Sequence, residues 1–219
     1  MKRNNGFTLI ELIVVIGTTA ILGLIFTNTL TQTFRGQSKS TAINKVKQNG
    51  QSVLDTLSNS IRQAEKVVCV GTNSDNAQNP NDTIVLYKQG IYSRFRFYPP
   101  PARPAGCPTD NGCIKRNDFT QDDVVNITTD LCTDNTDHGI NSVYILTDTD
   151  PVNGVSLKYD DSGGVKKPIF IKDSRAGFND QVTIHFLADV GVNAGQTYEA
   201  EVGNGGILFD TTAQARGGK

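Results

Sequence analysis

The sequence predicts an α+β fold, a long N-terminal helix packed on an antiparallel β-sheet head, and three observations carry that prediction. The run from Phe7 to Phe26, FTLIELIVVIGTTAILGLIF, is apolar over twenty residues. From Ile43 the apolar or small residues Ile43, Val46, Gly50, Val53, Leu57, Ile61, Ala64 and Val68 recur in steps of three or four, which is the spacing of one helix face. Beyond Val68 the period drops to two, and turn residues separate short β-branched and aromatic runs. A helix followed by hairpins buries most apolar surface when the stripe from Ile43 to Val68 covers the sheet.

In chain order, the first element is the apolar run behind the leader Met1-Lys-Arg-Asn-Asn-Gly6. At about 1.5 Å per residue, twenty helical residues cover roughly 30 Å, the thickness of a hydrocarbon core. Lys2 and Arg3 precede the run and the next base is Arg35. The positive-inside rule therefore puts the amino end in the cytoplasm and the remainder outside, a single-pass membrane protein. A secretory signal peptide is a poorer reading, because no A-x-A-like site follows and the run is too long for an h-region. A plain anchor leaves Glu11 unexplained. A carboxylate costs about 2.5 to 3.5 kcal/mol at the centre of a span, less near an end, and an intramembrane acid is by default a functional group with a partner.

No proline occurs before Pro80, so one helix can run from Thr8 to Val68, roughly 90 Å. Leu54 widens its apolar stripe, and Lys45, Lys47, Asp55, Asn59, Arg62 and Glu65 take the other face. Gly17, Gly23, Gly36 and Gly50 each weaken it by about 1 kcal/mol relative to alanine, which makes them candidate bending points. Next, Thr83 to Tyr87, the turn Lys88-Gln89-Gly90 and Ile91 to Tyr98 form a β-hairpin. In it Ile91, Phe95 and Phe97 point one way, and Tyr92, Arg94, Arg96 and Tyr98 the other. Further strands are expected at Val124 to Thr128, Ser142 to Leu146, Val155 to Tyr159, Pro168 to Ile171, Val182 to Leu187 and Tyr198 to Val202, with turn chemistry at Asp160 to Gly164. Thr211 to Lys219 lacks an apolar pattern and reads as a flexible tail.

Charge excludes some functions. The formal net charge is −1, so no basic excess points to nucleic acid. The charges are nevertheless segregated. Residues 31–68 hold six Lys or Arg against two acids, net +4, whereas from Cys69 onward 13 bases face 19 acids, net −6. The stripe Tyr92, Arg94, Arg96, Tyr98 could stack bases and meet phosphates, but a wet sheet face or an intersubunit contact is the simpler reading. With two separated histidines, His138 and His185, and no GxSxG or HExxH pattern, no enzyme is expected. The segment Asp148 to Gly154 has two calcium-loop spacings but Val152 in the third ligand slot, so neither a metal nor any other cofactor is expected.

Four cysteines, Cys69, Cys107, Cys113 and Cys132, lie in the part assigned outside the membrane, where disulfides persist. Three pairings are possible. One of them closes Cys107 to Cys113 across a Pro108/Gly112 turn and ties the helix exit at Cys69 to Cys132. Zinc is disfavoured because no CxxC pair occurs.

The stretch GFTLIEL, with Gly6 before Phe7 and Glu11 fifth after that glycine, behind a short basic leader, resembles the cleavage and methylation signature of type IV prepilins and type II secretion prepseudopilins. The resemblance implies the pilin fold and a filament subunit, with a division into leader 1–6, membrane and assembly helix 7–26, helical stem 27–68, β-rich head 69–210 and tail 211–219. It implies that a prepilin peptidase cuts between Gly6 and Phe7 and methylates the Phe7 amine. Glu11 is then expected to meet the Phe7 amino terminus of a neighbouring subunit. The implied partners are the peptidase, other pilin or pseudopilin subunits, an inner-membrane assembly platform and the lipid bilayer. Gln51 to Val68 and Asp180 to Val202 resemble the larger minor members of these families. Minor-subunit, pseudopilin and tip-adhesin roles all remain open on the sequence.

Overall fold

The computed structural model describes residues 8–72, 81–101, 106–125, 130–134, 136–139, 143–194 and 205–217. The fold is α+β. Helix α1, Leu9–Gln63, is unbroken over 55 residues and contributes to two compact units, Met1–Thr41 and Ala42–Lys219.

In the first unit α1 stands without a core. Its large apolar side chains from Leu9 to Phe26 are each at least 55% exposed. The helix holds an 18-residue window of mean hydropathy 2.5, long and apolar enough to cross a membrane. The hydroxyls of Thr18, Thr27, Thr29, Thr31 and Thr33 donate to the carbonyl four residues earlier at 2.8 to 2.9 Å, so these polar groups are satisfied inside the helix.

In the second unit α1 becomes amphipathic, burying Ala42, Val46, Gly50, Val53, Leu54, Leu57 and Ile61. Five antiparallel strands follow as a meander: β1 Lys66–Gly71, β2 Thr83–Lys88, β3 Ile91–Tyr98, β4 Cys113–Thr120 and β5 Val143–Ile145. A second sheet contains β6 Val155–Lys158, β7 Phe170–Asp173, β8 Gln181–Val190 and β9 Ile207–Gln214. Its central strand is β8, to which β6, β7 and β9 all pair antiparallel. Val53, Leu57 and Ile61 of the helix share one core with Ile84, Phe95 and Phe97 of the first sheet and Ile184, Phe186 and Phe209 of the second.

The expected hairpin is present as β2 and β3. Lys88 pairs with Ile91 across the two-residue loop Gln89-Gly90. Both loop residues have positive φ, 48° and 83°, the twist that matches the right-handed twist of the strands it joins.

Several expectations need correction. The helix ends at Gln63 instead of Val68, and Lys66 to Gly71 pair with β2. Val67 fits a helical step and an alternating one equally, and the β-branched Val67-Val68 pair favours the free edge of β2. Val124 and Val125 belong not to a strand but to a short helix, α2, Gln121–Val125. There Asp123 accepts from the Thr120 amide and hydroxyl at 2.8 and 3.0 Å, a capping arrangement that starts a helix. The segment beginning at Thr211 is not a tail, because residues through Gln214 form β9 and Ala215 donates its N–H to the Asp180 carbonyl at 2.9 Å. Its inward positions beyond Phe209 are Ala213 and Ala215, too small to register as an apolar period. The expected strand Tyr198 to Val202 lies outside the described residues.

Gly50 is a contact, not a bend. A Cβ built on it would lie 2.3 Å from the Phe209 ring, which is itself stacked on Phe186 at 5.4 Å. Glycine is what lets the helix approach β9. Gly50→Ala should therefore destabilise the second unit by about 1 to 3 kcal/mol through overpacking, against a helix-propensity gain of about 1 kcal/mol. Thermal unfolding of the detergent-solubilised protein checks this, with a lower midpoint expected and an unchanged or raised one counting against the contact.

Candidate functional site

Glu11 lies one turn into α1, and the residues around it define the start of the helix. Thr8 immediately precedes the first helical residue, Leu9. Its amide and its hydroxyl both donate to Glu11 Oε2 at 3.0 Å, and the Glu11 amide points back at Thr8 Oγ1 at 3.4 Å. This is a reciprocal capping box, with Thr8 at the N-cap and Glu11 three residues on. The carboxylate thus has a partner within its own chain, at the end of the helix where the macrodipole favours negative charge. Both bonds end on Oε2. Oε1 accepts no hydrogen bond among the described residues, so the group can still take a cation. The local signal for this arrangement is the T-x-x-E spacing of Thr8-Leu9-Ile10-Glu11. Gly6 and Phe7 lie outside the described residues.

The stripe Tyr92, Arg94, Arg96, Tyr98 is neither a ligand surface nor a wet face. The four side chains are 8%, 1%, 3% and 4% exposed. Arg94 donates from Nη1 to the Asp134 carbonyl at 2.8 Å and from Nη2 to Asn117 Oδ1 at 3.1 Å and to the Thr136 carbonyl. Its Nη1 lies 3.4 Å from the Asp134 carboxylate, and its guanidinium sits 5.5 Å from the centre of the Phe119 ring. Burial, then the charge of Arg96, pushes Arg94 below its ordinary pKa, while Asp134 and Asp137 oppose the shift. Arg96 donates to the Asp134 carbonyl as well. The Tyr92 hydroxyl donates to Gln121 Oε1 at 2.8 Å, and Tyr98 packs on Cys107 and Cys113. What covers this face is α2 and the segment around Leu131 to His138, which Cys69–Cys132 also ties to β1.

The cysteines form Cys69–Cys132 and Cys107–Cys113. Asp130 stands within 4.8 Å of the first pair, but both sulfurs are committed to the disulfide. In the loop at Asp148 to Gly154, Asp150 Oδ1 accepts the amides of Val152 and Asn153 at 2.9 and 2.7 Å, and Asp148 meets Lys45 at 3.3 Å. These acids shape the turn. His138 Nε2 contacts the Asp134 carboxylate. His185 points away from Val182, Ile184 and Phe186, as its strand position predicts, yet it is buried. Its Nδ1 lies 2.6 Å from Asp210 and its Nε2 2.9 Å from Asp160. Lys167 lies 2.6 Å from the same Asp160 oxygen. Hydrogen bonds from Lys167, Ser162 and His185 hold the Asp160 carboxyl well below the usual carboxylate range. This cluster joins the turn after β6 to β8 and β9.

With this geometry in place, residues 1–27 match a family described as the prokaryotic N-terminal methylation motif, the signature of type IV pilins and pseudopilins. No curated protein and no solved structure matches the chain significantly. The motif supports a pilin- or pseudopilin-like role and implies processing by a prepilin peptidase and assembly with other pilins.

Two consequences can be measured. Arg94→Met keeps the apolar stem but takes the guanidinium donor from the Thr136 carbonyl and one partner each from the Asp134 carboxylate, the Asp134 carbonyl and Asn117 Oδ1, and should cost about 3 to 5 kcal/mol in chemical unfolding. A loss below about 1 kcal/mol would show that Arg94 does not fasten the covering segment. For Asp160 the folded pKa is lowered, so its contribution is present above the unfolded value near 3.9 and is lost as pH falls through the folded one. The stability gap between wild type and Asp160→Asn should be full above about pH 5 and shrink from about pH 4 downward. A gap independent of pH would contradict the charged contact.

Proposed function

We propose that the chain is a structural, non-enzymatic subunit of a type IV pilus-like filament, minor in copy number, made as a precursor and cut between Gly6 and Phe7. The observation that carries this reading is the methylation motif over residues 1–27, with Glu11 placed by Thr8 at the head of an otherwise apolar helix. The apolar part of α1 holds the subunit in the bilayer, with the amino end cytoplasmic before cleavage and the β-rich unit outside. Assembly then moves that helix from lipid to helix packing in a cell-surface filament.

Cleavage changes the electrostatics of the site. In the precursor the Phe7 nitrogen is a neutral peptide group. After cleavage and methylation it is a cationic amine, and the unspent oxygen of Glu11 gives such an amine, on a neighbouring subunit, an acceptor in low dielectric. Secretion-system pseudopilins carry the same motif, and this chemistry would serve either filament. A nucleic-acid or adhesive role through Arg94 and Arg96 loses its support, since both guanidinium groups are spent inside the fold.

The intact mass of the membrane-extracted protein tests processing. The expected species lacks residues 1–6, carries one added methyl group and keeps 19 basic against 22 acidic side chains. Recovery of precursor alone from a host with an active peptidase would refute it. Two variants separate the two jobs of Glu11. Glu11→Gln preserves a capping box but removes the charge, so insertion and cleavage should persist while incorporation into sheared filaments collapses, as expected for a buried pair worth about 3 to 5 kcal/mol. Thr8→Ala removes the cap but keeps the charge, and should loosen the first helical turn by about 1 kcal/mol, visible as faster amide exchange at Leu9 to Leu12.

A further inference from the structure

Arg35 and Lys39 stand four residues apart on α1. By spacing they continue, toward the N-terminus, the row Ala42, Val46, Gly50, Val53, Leu57 and Ile61 that is buried against the protein's own sheets. Both side chains are exposed, and among the described residues neither has an ion pair or a hydrogen bond. By contrast Lys45, further along the helix, and Lys115, Arg116, Lys158, Lys167 and Lys172 of the β-rich unit each meet an aspartate. Arg35 and Lys39 thus hold unspent positive charge on the helix of a chain whose residues from Cys69 onward carry net −6.

Distance decides what can neutralise it. Arg35 and Lys39 lie nine and thirteen positions beyond Phe26, about 13 and 20 Å along the helix, whereas the headgroup layer on one side of a bilayer is only about 5 to 8 Å deep. Anionic lipid falls short of Lys39 even allowing for its own reach. Nucleic acid would be repelled by the net negative charge of the β-rich unit. A carboxylate-bearing protein surface, of the kind this chain itself presents from Cys69 onward, has the complementary sign.

We infer that Arg35 and Lys39 form a docking face for the acidic β-rich surface of the adjacent subunit in the filament. This rests on the filament reading above. In that arrangement the neighbour's surface covers the upper part of the row as the protein's own sheets cover the lower part, with ion pairs in place of apolar contacts. Such contacts are individually weak and salt-sensitive, which suits an interface that forms only after the helices have already aligned.

The test uses the full-length chain in a host that makes the filament, with intact masses read separately in the membrane and sheared-filament fractions. Arg35→Glu/Lys39→Glu should be inserted and processed like wild type yet fall roughly tenfold in the filament fraction, while Arg35→Lys/Lys39→Arg stays near wild type. Arg62→Glu, which alters an exposed base off this row, should be neutral. Carbodiimide treatment of wild-type filaments should join Lys39 to an Asp or Glu of another chain, located by peptide mapping. Wild-type incorporation of the double Glu variant would overturn the inference. So would a loss confined to membrane retention, which would indicate a lipid contact, or the absence of any Lys39 cross-link to a protein carboxylate. Wild-type protein that is unprocessed, or missing from filaments, is a different result and would remove the filament reading itself.

Discussion

The second unit depends on one face of α1 lying against two sheets that belong to separate hydrogen-bond ladders. Val53, Leu57 and Ile61 belong to the same core as Phe95 and Phe97 on one side and Ile184 and Phe186 on the other, so the helix is the element both sheets share. That arrangement sets the residue types along the row. Val46 and Leu57 fill the core, and Gly50 makes room for the Phe209 ring. The same helix has no such constraint before Thr41, where its apolar surface is turned outward over the whole stretch from Leu9 to Phe26. One continuous helix therefore combines a stretch long and apolar enough to cross a membrane with a stretch that packs in the protein's own core.

The far side of the first sheet is organised by a different force. Here a charged group takes the place of an apolar one at the centre of the layer. Arg94 collects carbonyls from Asp134 and Thr136 and stacks over Phe119, while Cys69–Cys132 holds the same segment covalently. A guanidinium can satisfy several acceptors of an irregular segment at once, which no apolar side chain could do. A segment too poor in apolar residues to pack by itself is thereby fixed on a sheet. Both tethers hold the same segment on the same sheet, so the two are expected to act together.

How much of this was legible in the residues follows from how local each determinant is. The apolar helix, its amphipathic continuation from about Ile43 and the β2–β3 hairpin rest on spacing within a few residues and are legible in the sequence. So is the alternation of Tyr92, Arg94, Arg96 and Tyr98 with Phe95 and Phe97. What alternation could not tell is which of the two faces is covered, because that depends on residues some forty positions away brought back by Arg94 and a disulfide. Strand β9 is hidden for a related reason, since its inward alanines carry too little hydrophobicity to show a period. The capping boxes at Thr8/Glu11 and Thr120/Asp123 are local patterns, and at Val124 and Val125 the cap prevails over β-propensity.

Strand β9 also bears on the order in which the chain can fold. It lies alongside the central strand β8, and its Phe209 fills the space above Gly50, so the contact that closes helix onto sheet joins an early element to one made after every other strand described. Until residues 207–214 have been synthesised, one edge of β8 is bare and the row on α1 has nothing opposite Gly50. Contacts of such high sequence separation slow folding, because a long loop must close before the contact forms. A nascent chain can therefore complete its apolar helix well before its β-rich unit is able to consolidate, which separates the two units in time.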